Sequence, residues 1–139
     1  MTPAVPSSVR RRRTQEIDDL IETIICAAHQ PIGAYSIANE ARRMGAKIAP
    51  TQVYRSLDRL LEARIVSRII TQKAFAPVAA DKAIRCLCAV CGCVTARRAG
   101  EVPDVLAELC HENQFSCRET HLEVLGLCDA CQSSDSVAR

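Results

Sequence analysis

The chain has 139 residues, which suffices for one ordinary domain or for two small ones that need a metal or a partner subunit for stability. No stretch approaches the roughly 18 apolar residues of a membrane span, and residues 1–13 lack the apolar centre of a signal peptide. We therefore expect a cytoplasmic protein, neither membrane-spanning nor secreted. Residues 1–72 carry eleven Lys and Arg against seven Asp and Glu, whereas residues 73–139 carry seven against nine. The basic half is expected to contact nucleic acid.

The first half of the chain predicts a flexible basic tail followed by three helices and a strand pair. Residues 1–13 contain two prolines and the run Arg10–Arg13, which either touches phosphates or is merely solvated. Apolar residues then recur at helical spacing, and a β-rich pair follows with its turn at Gln72 and Lys73. The predicted elements are helices at 14–29, at 34–44 and from Pro50, and strands at 65–71 and 74–78.

The second half predicts a smaller α/β unit after a hinge. Its expected elements are strands at 84–88, 92–97 and 117–127 and a helix at 103–113. The predicted fold class is therefore α+β, with an N-terminal winged helix-turn-helix DNA-binding domain before a small α/β dimerisation domain. The expected boundaries are 1–13 for the tail, 14–79 for the winged helix, 80–132 for the dimerisation and metal-binding domain, and 133–139 for a flexible tail.

Two C-x-x-C pairs give the sharpest chemical signal in the sequence. Cys88 and Cys91 form the first pair, and Cys128 and Cys131 form the second. Four thiolates suit a tetrahedral zinc ion with no open position, so the pattern predicts one structural zinc per subunit. Disulfides and an iron–sulfur cluster are the alternatives, although a chain without a signal peptide favours metal over disulfides.

The third predicted helix has the character of a DNA-recognition helix. Pro50 and Thr51 open it, so its first amides can face a phosphate. An arginine in this position can bind guanine through two hydrogen bonds. The alternative is an ordinary amphipathic helix whose charges are only solvated. The candidate DNA-contacting residues on this helix are Thr51, Gln52, Tyr54, Arg55 and Arg59.

Several segments together resemble the ferric uptake regulator superfamily, and most closely its zinc uptake regulator branch. The similar segments are Gln30–Tyr35, Ala49–Glu62, Ile65–Ile69 and the two cysteine knuckles with their flanking glycines. The resemblance implies a homodimer that binds a palindromic operator in double-stranded DNA and represses metal-uptake genes. It also implies that Tyr35 and Arg55 approach bases.

The regulatory metal site of this family is not matched in the sequence. Where relatives of the zinc branch carry ligands, this chain has Ser67, Val78, Asp81 and Ala96, of which only Asp81 can bind a metal. Surplus residues offer a replacement metal or redox site, because alternate residues from Cys117 to Glu123 would share one face of the predicted strand. The candidates for this second site are Asp81, Cys86, Cys93, Cys117 and His121.

Three functions follow for comparison. The first is a zinc-dependent repressor with a rebuilt sensor site. The second is a family member that has lost metal sensing and acts as a redox-sensing or metal-independent DNA-binding regulator. The third, a thiol enzyme, is disfavoured because four knuckle cysteines leave no open coordination position and no Cys-His-Asp set is recognisable. We therefore expect a regulator and not an enzyme.

Overall fold

The computed structural model describes residues 7–79 and 83–137. Its chain divides into two units, the first ending at Val78 and the second beginning at Ala79. The helices are α1 Ser7–Ala27, α2 Ala34–Arg43, α3 Pro50–Glu62, α4 Val102–Glu112 and α5 Asp129–Val137. The strands are β1 Val66–Ile69, β2 Ala74–Pro77, β3 Ala83–Cys88, β4 Val94–Arg98 and β5 Glu123–Gly126.

The first unit packs three helices against a two-stranded wing. β1 and β2 pair antiparallel, with Val66 opposite Pro77, and Ile32 adds two backbone hydrogen bonds to Phe75. The helices bury an aliphatic stripe from each of their sequences, as the helical spacing predicts. The core consists of Ile21, Ile24, Ile25, Ile37, Ala41, Val53, Leu57, Leu60, Val66 and Phe75.

The N-terminal helix begins earlier than the apolar pattern indicates. α1 starts at Ser7, so residues 7–13 are helical where a flexible tail was expected. Arginine is a good helix former, and apolar periodicity marks only the part of a helix that is buried. Residues 1–6 lie outside the described residues.

The second unit is a three-stranded mixed sheet with the order β4-β3-β5. β3 pairs antiparallel with β4 and parallel with β5, and α4 lies in the connection from β4 to β5. Few side chains of this unit are buried; its core consists of Leu87, Cys88 and Ala99. The winged helix followed by a mixed α/β unit with a cysteine cluster confirms the predicted fold class.

Two predictions for the second unit differ from the structure. The strand expected at 117–127 is formed only over Glu123–Gly126, so the shared face from Cys117 to His121 does not exist. Instead, the Cys117 Sγ donates to the Glu119 carbonyl oxygen at 3.7 Å, a local side-chain to backbone contact of the kind that competes with strand pairing.

The chain end, expected as a flexible tail from residue 133, continues α5 to Val137. This helix is polar and lacks an apolar stripe, so periodicity does not reveal it. The hydroxyls of Ser133 and Ser134 donate to the carbonyls of Asp129 and Ala130, four residues earlier, at 2.8 and 2.9 Å. These local bonds accompany the helix but have no signature in the hydrophobic pattern.

Candidate metal centre and nucleic-acid interface

The first cysteine knuckle closes the hairpin between β3 and β4. Gly92 adopts a left-handed backbone with φ of 73°, a conformation that glycine takes without steric cost. Its amide donates to the Cys88 carbonyl at 3.0 Å, and the Cys88 amide donates to the Cys93 carbonyl at 2.9 Å. The hairpin therefore places Cys88 directly across from Cys93, with Cys91 in the turn between them.

The second knuckle is brought to the first by the parallel pairing of β3 and β5. Cys88 lies opposite Gly126, and the Ala89 amide donates to the Gly126 carbonyl at 2.8 Å. Cys128 follows two residues later, where its Sγ lies 3.8 Å from the Cys91 Sγ. Cys131 belongs to the first turn of α5, so both C-x-x-C pairs meet at the same end of the sheet.

Five thiols gather there. The sulfurs of Cys88, Cys91, Cys93 and Cys128 all lie within 4.8 Å of one another. The Cys131 thiol contacts Cys128, Cys88 and Cys91. Zinc–sulfur bonds of about 2.3 Å in a tetrahedron require sulfurs about 3.8 Å apart, and the Cys91–Cys128 distance is 3.8 Å. The residues present therefore fit a zinc ion.

Backbone amides prepare two of these sulfurs for a cation. Amides of Cys128, Cys91 and Val90 donate to the Cys88 sulfur and lower the pKa of Cys88 to about 5. The amide of Cys131 likewise lowers the pKa of Cys128. Cys93 and Cys131 behave in the opposite way. A hydrogen bond with the Cys91 thiol raises the pKa of Cys93 to about 12, and one with the Cys128 thiol raises the pKa of Cys131 to about 12. The group thus starts with thiolate character, and binding of a divalent metal would release the remaining protons.

The residues predicted for a second site lie in separate places. Cys93 belongs to the thiol cluster, and Cys86 lines the same cavity as Cys88 and Cys128 from two residues earlier on β3. Asp81 lies outside the described residues. Within the described chain, the cysteine cluster is the only group of three or more potential ligands that the structure assembles.

The two remaining candidates lie in the segment between α4 and β5. The Cys117 thiol contacts the Cys110 thiol. Burial is the main cause that raises the pKa of Cys110, and the contact with Cys117 raises it further. His121 places its Nε2 3.3 Å from the Glu119 Oε1, at the exposed surface. A left-handed residue at Gln114 reverses the chain after α4 and returns Cys117 toward Cys110.

The recognition-helix candidates divide into exposed and engaged side chains. Thr51, Tyr54 and Arg55 are exposed on α3, opposite its buried stripe. Tyr35, in the first turn of α2, is 75% exposed. Gln52 is half-buried, and its Oε1 accepts the Ala49 amide at 3.0 Å at the start of α3.

Arg59 is held inside the first unit. Its Nε and Nη2 donate to the two carboxylate oxygens of Asp18 at 2.8 and 2.7 Å. The Ser56 hydroxyl, which is buried, donates to the same carboxylate. Burial raises the pKa of Asp18, but the bonds from Arg59 and Ser56 outweigh it and lower the pKa overall. These contacts tie α3 to α1.

Residues 10–125 match the family model of the ferric uptake regulator family. The chain belongs to the ferric uptake regulator family. Members of this family are metal-responsive transcriptional regulators and not enzymes, which confirms both the recognised family and the expected class. A comparison with curated proteins finds no match.

Solved structures of the ferric uptake regulator family share the fold. The holo form of the regulator XcZur is 25% identical with a TM-score of 0.76, and 84% of each chain is covered. A zinc uptake regulator complexed with zinc and DNA is 24% identical with a TM-score of 0.79, covering 86% of this chain and 83% of the other. The Helicobacter pylori ferric uptake regulator is 16% identical with a TM-score of 0.64, covering 90% and 88%.

Membership of the family bears on both the thiol cluster and the exposed face of α3. Ferric uptake regulator homologues bind DNA as dimers, and the four-thiol group is consistent with the structural zinc of their zinc-branch members. No helix in the described parts of the chain is both long and apolar enough to cross a membrane.

Proposed function

We propose that the protein is a zinc-dependent cytoplasmic repressor that binds a palindromic operator as a homodimer and controls genes for the uptake of zinc or another metal. The observation that carries this proposal is the exposed polar face of α3, which presents Thr51, Tyr54 and Arg55 to solvent while the opposite face is buried. Likeness to XcZur at 25% identity favours zinc over other metals.

The side chains have different roles at the DNA. Arg55 carries a guanidinium that can bind a guanine through two bonds, and Thr51 stands at the helix start, where amides face phosphate. Tyr54 on α3 and Tyr35 on α2 supply exposed aromatic rings in the same unit. We assign Arg59 to the fold instead, because its Nε and Nη2 are bonded to Asp18. The half-buried Gln52 caps α3 and contributes to DNA binding only through its amide nitrogen.

The second unit supports a homodimer. α4 buries none of its residues, and the exposed strand β5 lies at an edge of the sheet. Several exposed apolar side chains on a small unit with little core are typical of a subunit that pairs with another copy. The exposed apolar side chains of α4 and β5 are Val102, Val105, Leu109, Val124 and Leu125.

The structural zinc would be held by Cys88, Cys91 and Cys128, with Cys131 as the fourth ligand that the two knuckles predict. A tetrahedral ion there supplies binding free energy that counts as folding free energy. It fastens the start of α5 to the ends of β3 and β5, where the unit has little apolar core of its own.

Operator binding tests the proposal. An operator is first selected from random duplexes with the purified protein, and its Kd is then measured at fixed salt with and without added Zn²⁺. We expect added zinc to strengthen operator binding at least about tenfold. Arg55→Ala should weaken binding to this operator by about 5–150-fold, the equivalent of about 1–3 kcal/mol, and should leave binding to random duplex nearly unchanged.

A second candidate function is a DNA-binding regulator that has lost the sensor site. The observation that favours it is the separation of Cys86 and Cys93 from Cys117 and His121, with only the thiol cluster assembled among the described residues. Operator affinity that ignores added zinc, in a protein already holding one zinc per subunit, would decide for this second candidate. An affinity that instead falls with a mild oxidant would identify its redox form.

A further inference from the structure

The thiol cluster contains more ligands than one zinc ion can use. Cys88, Cys91 and Cys128 are common to every arrangement, because Cys93 lies within 4.8 Å of all three and Cys131 contacts the same three. A tetrahedral zinc ion accepts four thiolates. Cys93 and Cys131 thus stand as two candidates for a single coordination position.

We propose that Cys93 and Cys131 are interchangeable fourth ligands of one zinc ion. The proposal rests on the structural zinc of the proposed function. It goes beyond the two C-x-x-C knuckles, because of the two competing thiols only Cys131 belongs to a knuckle. In each state of the site, one of these two thiols binds the metal and the other remains uncoordinated beside it.

The backbone brings the two competing thiols to the site from different elements. Cys93 is held across from Cys88 by the hairpin, through the bond from the Cys88 amide to the Cys93 carbonyl at 2.9 Å. Cys131 stands in the first turn of α5, where the Gln132 amide donates to the Cys128 carbonyl at 2.9 Å. Neither thiol needs a large backbone movement to reach the ion, since each already contacts thiols of the common set.

The choice of ligand has a structural consequence. With Cys131 bound, the ion holds α5 through Cys131 in its first turn and through Cys128 directly before it. With Cys93 bound, the ion holds the helix only through Cys128. Exchange of the fourth ligand therefore changes how firmly α5 is anchored to the sheet while the zinc stays in place. Both thiols are only half-buried, so the uncoordinated one is accessible to a small reagent.

Zinc content of serine variants tests the interchange. The protein and its Cys93→Ser, Cys131→Ser and double variants are loaded with zinc and challenged with a competing chelator, and zinc per chain is measured by mass spectrometry. We expect each single variant to keep one zinc per subunit and the double variant to lose it. Two single variants serve as matched controls. Cys128→Ser should lose the zinc, and Cys117→Ser should keep it.

Two results would overturn the proposal. Loss of zinc from Cys131→Ser to the extent seen in Cys128→Ser would make Cys131 the dedicated ligand and Cys93 a bystander. Loss from Cys93→Ser alone would make Cys93 the dedicated ligand. Neither outcome bears on operator binding, so failure of this proposal is distinguishable from failure of the proposed function.

Alkylation of the unmodified protein covers the case in which a variant does not fold. The zinc-loaded protein is treated with N-ethylmaleimide, and peptide mapping locates the label while zinc retention is followed. We expect label on Cys93 in some molecules and on Cys131 in others, with zinc retained and with Cys88, Cys91 and Cys128 protected. Complete labelling of one of the two, with full protection of the other, would refute interchange.

Discussion

The pair of Asp18 and Arg59 permits a prediction that separates folding from DNA binding. Asp18 is 13% exposed and receives two bonds from the guanidinium and one from the Ser56 hydroxyl. Replacing Asp18 with alanine removes all three and leaves the buried Ser56 hydroxyl without its acceptor. We expect Asp18→Ala to destabilise the first unit without removing any group that faces DNA.

The magnitude follows from the burial of the two partners. Hydrogen bonds to a charged group contribute about 1.5–3 kcal/mol each when they are protected from water. The guanidinium is 41% exposed and regains water when the carboxylate is removed, so the three bonds together count for much less than their sum. We expect a loss of about 2 kcal/mol in the free energy of unfolding, which lowers Tm by about 8–16 °C in a unit of this size.

Thermal and urea unfolding followed by circular dichroism measure this loss. The matched control is Glu40→Ala, which removes an exposed ion pair with Arg43 at 3.1 Å and should cost no more than about 0.5 kcal/mol. Arg59→Ala should cost about as much as Asp18→Ala, and the double variant should cost little more than either alone. A loss from Asp18→Ala no larger than that of Glu40→Ala would refute the reasoning.

The pH dependence of the contribution of Asp18 has a definite sign. The pKa of Asp18 is lowered in the folded protein, so its contribution is fully present above its unfolded pKa of about 3.9 and is lost as pH falls through the folded value. The stability difference between the parent protein and Asp18→Asn should be constant from pH 5 to about 8 and should shrink below pH 4. A difference that grows with acid would contradict the assignment.

Three further predictions concern the second unit. Gly92→Ala should weaken zinc retention against a chelator by roughly tenfold, because the left-handed backbone at Gly92 costs an alanine about 1–2 kcal/mol, whereas Gly126→Ala, with open space around it, should not. Leu125→Glu should shift the protein to monomers in sedimentation, unlike Met44→Glu in the first unit, although both side chains are exposed in the isolated chain; a dimer that persists would place the interface elsewhere. Zinc removal by a strong chelator should unfold the second unit while the helical signal of the first remains, as circular dichroism would show; retention of all secondary structure would argue against a folding role for the metal.

The sequence predicts the helices of the first unit well because burial and local signals agree there. Pro50 begins α3 both in the pattern and in the structure, and the apolar stripe of that helix is buried as the spacing requires. The same periodicity marks Arg59 as polar but does not say what it binds. Its partner Asp18 is 41 residues away, and only the packing of α1 on α3 brings them together.

The metal site is predictable in part for a similar reason. Two C-x-x-C pairs reveal the chemistry, but spacing along the chain does not identify Cys93. The register of the hairpin does, because Leu87 pairs with Val94 and the next residues inward are Cys88 and Cys93. By contrast, the face expected from Cys117 to His121 required a strand over these residues. The strand forms only from Glu123, and Cys117 makes a local contact with Thr120 instead.

A site whose occupation is needed for folding is poorly suited to sensing. Emptying it produces an unfolded unit and not a second folded state with different affinity for DNA, whereas regulation by a ligand requires two states that the ligand distinguishes. The thiol cluster is therefore not a sensor of free zinc, because its occupancy does not change between two folded states. Exchange between Cys93 and Cys131 alters the anchoring of α5 but takes up and releases no metal, so it can respond to a reagent at the uncoordinated thiol and not to the zinc concentration. A zinc response of operator binding therefore requires a second, weaker site.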